Sequence, residues 1–359
     1  MSYLNRHAFI GLALSLVCWV SVWLPGLAEP AITLQQQVDD YVAQGRGPRA
    51  VAALLITPEG TEMALAGETG NPAQPVPTPD TLFEIGSITK VFTALLLADQ
   101  VNQGVVTLDT PVEALLPSQA PPSSTSISLQ ALASHTAGLP RLPLSRILRA
   151  SLYPANPYRG SQPEELYRAI AAADPEPGTC QYSNLGPSLL GQLLATAAGQ
   201  PYETQVQTQV LAPLGLTDTH FDLDLAAKDR LAQGHLENTL PTANWQLDAY
   251  APAGGLKSTL TDMGQFLQAA IAADWPPLAL SLQPHSEDCE PNFGLGWIFT
   301  ELEDTPMIMH NGRTGGYYAF LGWLPEAGRG LVLLTNTSDA QGDQVATALL
   351  TGDPLPTRP

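Results

Sequence analysis

The segment from Ile88 to Val101 constrains the fold more than any other part of the chain. Its apolar residues leave almost no polar face, so a helix formed here has to lie inside the protein. Gly104 marks the place where such a helix ends. We therefore predict a buried helix that begins at Ser87, ends near Gly104 and is covered by other elements on all sides.

Ser87 and Lys90 lie about one helical turn apart at the start of this helix, which brings the hydroxyl and the amine within reach of each other. An alcohol is a poor nucleophile at neutral pH, and an amine activates it only if burial lowers the pKa of the amine. The chain contains three lysines, and neither Lys228 nor Lys257 follows a serine at this offset. The pair predicts a nucleophile and its base. The alternative is that Lys90 extends to solvent from the first turn.

Length and charge limit the class of protein. A chain of 359 residues can bury a large core, and two packed lobes are more natural than one. The chain carries 34 acidic against 15 basic residues, which argues against nucleic acid or an anionic membrane surface as a partner and favours a small or neutral ligand. The acidic residues are scattered, and His220 with Asp222 and Asp224 lacks a fourth ligand. We expect no metal site and no cofactor.

Residues 1–28 have the pattern of an export signal. A basic start precedes an uncharged stretch over 8–28, in which small residues stand before a cleavage site after Ala28. We predict an exported protein, periplasmic or secreted, whose mature chain begins at Glu29. The uncharged stretch is long enough to span a bilayer if it is not cut, so a form anchored in the membrane by this segment is the alternative.

Two cysteines, Cys180 and Cys289, remain outside this segment. In an exported protein two such thiols can pair, and a bridge would hold the region before Tyr182 to the region before Phe293. The alternative is two unpaired buried thiols, because a sequence does not supply the Cα separation that a bridge requires.

The order of the elements predicts strands at both ends of the chain and helices between them. Val51–Ile56 and Met63–Ala66 are apolar runs around a turn and predict a hairpin. Four later runs with short turns predict an antiparallel meander, namely 294–300, 307–311, 317–324 and 330–335. Helices are predicted over 128–132, 166–173, 185–198, 202–211, 261–273 and 340–350, with Ser161 and Glu164 as a capping box.

These patterns divide the chain into parts. After the signal peptide over 1–28, we predict an α/β lobe made from 29–103 together with 245–351. An all-helical lobe over 104–244 is inserted into it, and 352–359 form a C-terminal tail.

Two further clusters turn the Ser87 pair into a candidate site. Tyr182, Ser183 and Asn184 stand in a loop directly before a buried helix, where a phenol and an amide can be held rigidly over a cleft. The run 310–316 ends a predicted strand, and its glycines allow another backbone or a ligand to approach closely. Neither cluster is specific by itself.

Taken together and in this order, the clusters make the chain resemble the penicillin-recognising serine hydrolases, and within them class C β-lactamases, D-alanyl-D-alanine carboxypeptidases and related esterases and D-aminopeptidases. The resemblance runs from about Gln35 to Thr335 and includes the segments 134–139, 253–256 and 293–297. It implies an α+β, β-lactamase-like two-lobed fold, with an antiparallel sheet flanked by helices, an inserted all-helical lobe and the site between them. The implied substrates are small molecules or peptides: a β-lactam, a D-Ala-D-Ala peptide or an ester.

The resemblance also implies a role for each residue of the site. Ser87 is the acylated nucleophile, Lys90 its activator, and Tyr182 the general base that later protonates the leaving group. Asn184 holds the substrate amide. The backbone amides of Ser87, in the first helical turn, and of Arg313, at the strand edge, form the oxyanion hole.

The chain departs from the β-lactamase pattern at His310, Asn311 and Gly312, where those enzymes carry Lys-Thr-Gly. A histidine near neutral pH is mostly uncharged, so a fixed positive charge is lost. Side chains alternate along a strand, so Asn311 and Arg313 share one face. The resemblance implies that this face looks into the cleft, where Arg313 binds a substrate carboxylate. Thr314 completes the predicted substrate-binding residues.

The sequence therefore predicts an exported serine hydrolase that forms an acyl-enzyme at Ser87 and acts on D-amino-acid peptides, esters or β-lactams. One alternative is a non-hydrolytic penicillin-binding sensor or peptidoglycan-binding protein, which is acylated without turnover. Another is an inactive relative used as a scaffold, against which the presence of Ser87, Lys90 and Tyr182 argues.

Overall fold

The computed structural model describes residues 32–44, 49–121, 126–153, 155–173, 175–237, 240–286 and 288–357. The predicted export signal, and the membrane anchor that is its alternative, lie outside these ranges. From Thr33 onward the described residues form one compact unit, and the boundaries of the two predicted lobes stay predictions. None of the helices within the described ranges is both long and apolar enough to cross a bilayer.

Nine strands form two antiparallel sheets in the described part of the chain. They are β1 Ala50–Thr57, β2 Gly60–Gly67, β3 Phe83–Glu84, β4 Lys257–Ser258, β5 Asn292–Phe293, β6 Ile298–Leu302, β7 Thr305–Arg313, β8 Tyr318–Leu324 and β9 Arg329–Thr335. Seven of them form the main sheet in the order β2-β1-β9-β8-β7-β6-β5, and β3 pairs with β4 separately. The predicted hairpin is β1–β2 and the predicted meander is β6–β9, so both are confirmed.

The helices of the described residues are α1 Leu34–Ala43, α2 Thr89–Asn102, α3 Leu129–Ala133, α4 Leu144–Leu152, α5 Pro163–Ala172, α6 Leu185–Ala198, α7 Tyr202–Gln205, α8 Leu225–Lys228, α9 Ala251–Gly254, α10 Leu260–Ala272, α11 Pro276–Ser281 and α12 Gly342–Thr351. The predicted helices correspond to α2, α3, α5, α6, α7, α10 and α12, and the other five of these helices were not predicted. A π-helix over Val206–Leu211 continues α7. The described part of 104–244 contains helices and isolated bridges and no strand.

Helix α2 is the central helix, as its composition predicts. It packs against α3, α6, α9 and α11, and eleven of its fourteen residues are buried. One turn of 3-10 helix, Gly86–Ile88, leads into it. The predicted buried helix is therefore confirmed, with its first turn wound more tightly.

The main sheet is covered on both faces. Ala52 and Leu54 of β1 point to an apolar cluster shared with α2, α6 and α10, whereas Val51 and Ala53 point to a second cluster beneath α1 and α12. Burial on both faces explains why β1 is apolar at every position before Thr57 and does not alternate with polar residues. It also means that each residue of β7 faces either the α2 side or the α12 side.

The predicted capping box of Ser161 and Glu164 is wrong. Helix α5 begins at Pro163, and no side chain caps it. Proline needs no amide partner at the first helical position, which moves the start of the helix past the serine. The Ser161 hydroxyl instead donates to the Leu247 carbonyl at 3.1 Å in the protein interior.

Candidate active site

Ser87 lies in a tight turn between β3 and α2 that contacts β7 directly. Gly86 has a φ of +49°, and a Cβ added there would lie 2.8 Å from the Arg313 nitrogen. A Cβ at Gly312 would overlap the Ile85 carbonyl oxygen and lie 2.9 Å from the Ser87 nitrogen. These two glycines let the Ser87 turn and the edge of β7 approach each other backbone to backbone.

Lys90 lies beside the Ser87 hydroxyl, one turn further along the helix. Its Nζ is 2.8 Å from Ser87 Oγ and donates to the Ala253 carbonyl at 2.8 Å. Only 1% of the Lys90 surface is exposed, which excludes the alternative in which this side chain extends to solvent. Burial lowers the pKa of Lys90 well below its ordinary value, and the charge of Arg141 lowers it further. Loss of the proton is what a lysine requires to act as a base.

Tyr182 brings a phenol to the same place. Its side chain is half-buried, and Lys90 Nζ lies 5.0 Å from the centre of its ring. Desolvation raises the pKa of Tyr182 to about 12, against the opposing effects of a hydrogen bond with Ser87 and the charge of Arg141. At neutral pH the phenol therefore keeps its proton and is a donor, which disagrees with the general-base role that the resemblance implies for Tyr182.

Two contacts fix the loop that carries Tyr182. The Ser183 amide donates to Nδ1 of His135 at 3.2 Å, and the His135 and Tyr182 rings lie 4.5 Å apart. These contacts show that His135 packs against the Tyr182 loop and holds it in place. Cys180 is bonded to Cys289, with the Cα atoms 5.7 Å apart, which confirms the predicted disulfide over two unpaired thiols.

Asn184 lies at the start of α6 with its amide group in the site. Nδ2 donates to the Tyr158 hydroxyl at 3.0 Å, and Oδ1 is buried with no hydrogen-bond partner among the described residues. A buried acceptor without a partner is costly for a folded protein. The Asn184 oxygen is therefore placed to accept a hydrogen bond from a bound molecule.

The geometry of β7 aims one backbone donor at Ser87. The Thr314 amide donates to the carbonyl of its cross-strand partner Tyr317 at 3.1 Å. Hydrogen-bonded and non-hydrogen-bonded pairs alternate along an antiparallel ladder, so the amide of Arg313, one position earlier, turns away from β8. Strand β6 covers β7 only as far as Met309, which leaves the Arg313 amide facing the Ser87 turn.

His310 lies on the face that we predicted for Asn311. It is fully buried, and its ring centre is 6.2 Å from that of Tyr182. Nδ1 lies 2.6 Å from the Asn311 carbonyl oxygen, while Nε2 has no partner among the described residues. Burial and the nearby Lys90 lower the pKa of His310 to about 3. The ring is therefore a neutral part of the site at physiological pH.

The side chains of Asn311 and Arg313 do not enter the cleft, so the prediction that they meet the substrate is wrong. Asn311 Nδ2 donates to Asp343 on α12 at 2.5 Å, and the Arg313 guanidinium donates to the Asp339 carbonyl at 2.6 Å. Helix α12 and the turn before it occupy that face of β7. Arg313 contributes its backbone alone, and Thr314 is buried on the face that His310 shares.

Three polar or aromatic residues of the site were not predicted from the sequence. Arg141, Tyr158 and Trp245 line a cavity of about 70 Å³ together with Ser87 and Asn184. Trp245 also lines a neighbouring cavity of about 480 Å³. These three residues come from separate loops, and no spacing rule connects them.

Arg141 had one sequence signal, since it follows the turn 134–139 that supports the family resemblance. Its guanidinium carbon lies 5.3 Å from the centre of the Tyr182 ring, and its side chain is exposed. It is thus a positive charge at the edge of the site. Among the described residues no group of His, Cys, Asp or Glu side chains is arranged to hold a metal ion.

A hydroxyl paired with a buried amine, and faced by a phenol and backbone amides, is the chemistry of the serine hydrolases that use lysine as a base. Residues 34–352 match the model of the beta-lactamase family. The chain therefore belongs to the beta-lactamase family, a family of serine hydrolases.

Similar proteins agree with this assignment. A human beta-lactamase-like protein is 30% identical over 341 residues, which cover 86% of this chain and 66% of that protein. The D-alanyl-D-alanine-carboxypeptidase/endopeptidase AmpH of Escherichia coli (strain K12) is 27% identical over 329 residues, 83% of this chain and 82% of that protein. The octameric penicillin-binding protein homologue from Pyrococcus abyssi superposes with a TM-score of 0.74 at 24% identity, over 90% of this chain and 78% of that one. The predicted fold class is confirmed.

Proposed function

We propose that the chain is an exported hydrolase that forms an acyl-enzyme at Ser87 and acts on D-amino-acid peptides, esters or β-lactams. The contact of 2.8 Å between Ser87 Oγ and the buried amine of Lys90 carries this proposal. Relatives named as a D-alanyl-D-alanine carboxypeptidase and as beta-lactamases support the substrate classes. The signal pattern of residues 1–28 supports export.

Acylation begins with the transfer of the Ser87 proton to the neutral amine of Lys90. The bond between Oγ and the acyl carbon forms as the O–H bond breaks, and the carbonyl oxygen becomes an oxyanion. The amides of Ser87 and Arg313 donate hydrogen bonds to this oxyanion. Asn184 Oδ1 accepts a hydrogen bond from an N–H of the acyl group, which satisfies its buried lone pairs.

Tyr182 then protonates the leaving group. Its raised pKa makes the phenol an acid that holds its proton until the leaving nitrogen or oxygen departs, whereas the lowered pKa of Lys90 makes that amine the base. The proton taken up by Lys90 returns to Tyr182, so the charges of both groups are restored. A water molecule repeats the sequence on the acyl-enzyme and releases the acid.

Arg141 gives the site a preference among acyl donors. His310 is neutral, and the Arg313 guanidinium lies on the other face of β7. Arg141 is therefore a solvent-exposed cation that lies beside the Tyr182 ring. A carboxylate on the substrate can form a charge-assisted hydrogen bond with this guanidinium. We infer that donors bearing a carboxylate bind better than neutral esters.

One experiment tests both the acylation of Ser87 and the turnover of the acyl-enzyme. Purified protein is incubated with a fluorescent penicillin, a D-Ala-D-Ala peptide and a short nitrophenyl ester, while adduct and product are followed. We expect product from at least one substrate and none from Ser87→Ala. A persistent adduct without product would indicate the penicillin-binding sensor and contradict the hydrolase.

The role of Arg141 is tested by Arg141→Ala in the same assay. The value of kcat/KM for the peptide should fall about tenfold or more, because the charge-assisted bond is lost, while the neutral ester is nearly unaffected. Arg159→Ala, at another exposed arginine, is the matched control. Equal losses on both substrates would show that Arg141 recognises no carboxylate.

A further inference from the structure

Helix α4 buries a charged residue and exposes its apolar side, which is the reverse of most surface helices. Its one buried residue is Arg146, which forms an ion pair with Glu165. A stripe of four apolar residues faces solvent instead: Leu144 is 70% exposed, Ile147 48%, Leu148 59% and Leu152 75%. We call these four residues the α4 stripe. The three leucines recur every four positions, and Ile147 follows Leu144 by three, which places all four on one side of the helix.

The α4 stripe lies in a basic region of an acidic protein. Residues 141–173 contain five arginines and two glutamates and so have a net charge of +3, whereas the whole chain has a net charge of −19. Arg149 and Arg168 are exposed and line a groove of about 740 Å³ between α4 and α5. Within the described residues neither of them has a carboxylate at ion-pair distance. The local charge is therefore opposite to the overall charge, so the expectation against an anionic membrane surface, which rests on the overall charge, does not apply to this face.

We propose that α4 is an interfacial helix that docks the protein on an anionic lipid surface. An exposed apolar stripe beside arginines is the pattern of a helix that lies in the plane of a membrane, with its apolar side chains at the acyl boundary and its basic ones at the phosphates. The α4 stripe supplies the apolar contact. Arg149 and Arg168 in the adjoining groove supply the charge that anionic headgroups require.

A second copy of the chain fits this surface less well than lipid does. A symmetric dimer through α4 would place the same net-positive region of both copies together, and like charges in an interface are unfavourable. An anionic lipid surface is complementary both to the apolar α4 stripe and to the positive charge of Arg149 and Arg168. Helix α4 also begins shortly after Arg141, so docking would hold the entrance of the site near the lipid. The inference does not depend on the proposed reaction.

Vesicle binding tests the inference without any activity assay. Because the residues from Thr33 onward form a compact unit of their own, the chain is prepared from Glu29 and the full chain is measured beside it. Sedimentation is followed with vesicles of phosphatidylcholine alone and of phosphatidylcholine mixed with phosphatidylglycerol. The variants are Leu148→Glu with Leu152→Glu, and Arg149→Glu with Arg168→Glu. The matched control is Leu225→Glu, at a leucine that is 82% exposed outside α4.

We expect the protein to bind the mixed vesicles and to bind vesicles of phosphatidylcholine alone only weakly. Binding to the mixed vesicles should fall as salt is added. The leucine variant should lower the partition coefficient about tenfold or more, the arginine variant should lower it on mixed vesicles, and Leu225→Glu should leave it unchanged. Absence of binding, or binding that the α4 variants do not change, would overturn the inference. Dimers in light scattering that Leu148→Glu with Leu152→Glu dissolves, without vesicle binding, would identify a second copy as the occupant instead.

Discussion

Lys90 meets two opposing demands at the level of a single residue. A buried amine must give up its proton, which costs stability because the same amine is protonated in the unfolded chain. The neutral amine beside Ser87 is, however, what a base requires. The hydroxyl of Ser87 and the carbonyl of Ala253 satisfy the nitrogen without adding a negative charge that would restore the proton.

This cost should be visible as a pH dependence of stability. The pKa of Lys90 is lowered in the folded state from an ordinary value of 10.5, so the unfolded state binds more protons below that pH. Relative to Lys90→Met, the wild type should therefore gain free energy of unfolding as the pH rises from the lowered pKa of folded Lys90 toward 10.5, by up to about 1.4 kcal/mol per pH unit. Urea unfolding at several pH values measures the difference, with Lys228→Met as the matched control. A difference that does not change with pH would contradict the burial of an uncharged amine.

At the level of elements, β7 decides which side chains reach the substrate. The alternation of its side chains follows from the strand, and the sequence predicts it correctly. Which face of β7 looks into the cleft does not follow from the strand alone, because α12 comes from the end of the chain and covers Asn311 and Arg313. His310 and Thr314 are left for the site, and Gly312 between them admits the Ser87 turn.

The close approach at Gly312 makes it the most sensitive position of β7. In Gly312→Ala the new Cβ would overlap the Ile85 carbonyl oxygen, so the Ser87 turn must move and the oxyanion donors lose their geometry. We expect kcat/KM to fall about 100-fold or more. Gly330→Ala is the control in the same sheet, since its Cβ meets side-chain atoms of Ile271 and Leu267 at 3.2 Å. Near-normal activity of Gly312→Ala would show that this contact does not position the turn.

In contrast to Gly312→Ala, Arg313→Ala should lower stability and leave activity nearly unchanged. The backbone donor survives and the guanidinium contacts the α12 side, so kcat/KM should stay near that of the wild type for neutral and carboxylate substrates alike. The lost hydrogen bond to the Asp339 carbonyl should cost about 1 kcal/mol of stability. Steady-state kinetics and thermal unfolding together check this expectation. A loss confined to carboxylate substrates would mean that the side chain enters the cleft.

At the level of the whole molecule, the disulfide joins distant parts of the chain beside the site. Cys180 and Cys289 are 109 positions apart, and the bond ties the Tyr182 loop to the segment before β5. Replacing both with serine should lower the free energy of unfolding by about 2–4 kcal/mol. Denaturant unfolding of this variant beside the wild type, with and without reductant, measures the effect. Equal stability of the variant and the oxidised wild type would show that the bond does not constrain the unfolded chain.

Local patterns predicted the elements, and long-range packing decided the rest. The largely apolar composition of α2 and the meander of β6–β9 are properties of short segments, and both predictions are confirmed. The orientation of Arg313 and the presence of Arg141 in the site depend on segments that meet only in the folded protein. The capping box at Ser161 is a local prediction that failed, because α5 begins at Pro163 and the Ser161 hydroxyl donates to the Leu247 carbonyl instead.

The most direct test of the account is the mass of the protein after reaction with a penicillin. Intact-protein mass spectrometry should show the addition of one penicillin, and peptide mapping should place it on Ser87, because this is the hydroxyl that contacts Lys90. Ser134→Ala, at a buried serine that instead bonds to the Gln130 carbonyl, should be labelled normally. Ser87→Ala should show no added mass. An adduct that forms in Ser87→Ala, or that maps to another residue, would contradict the central claim.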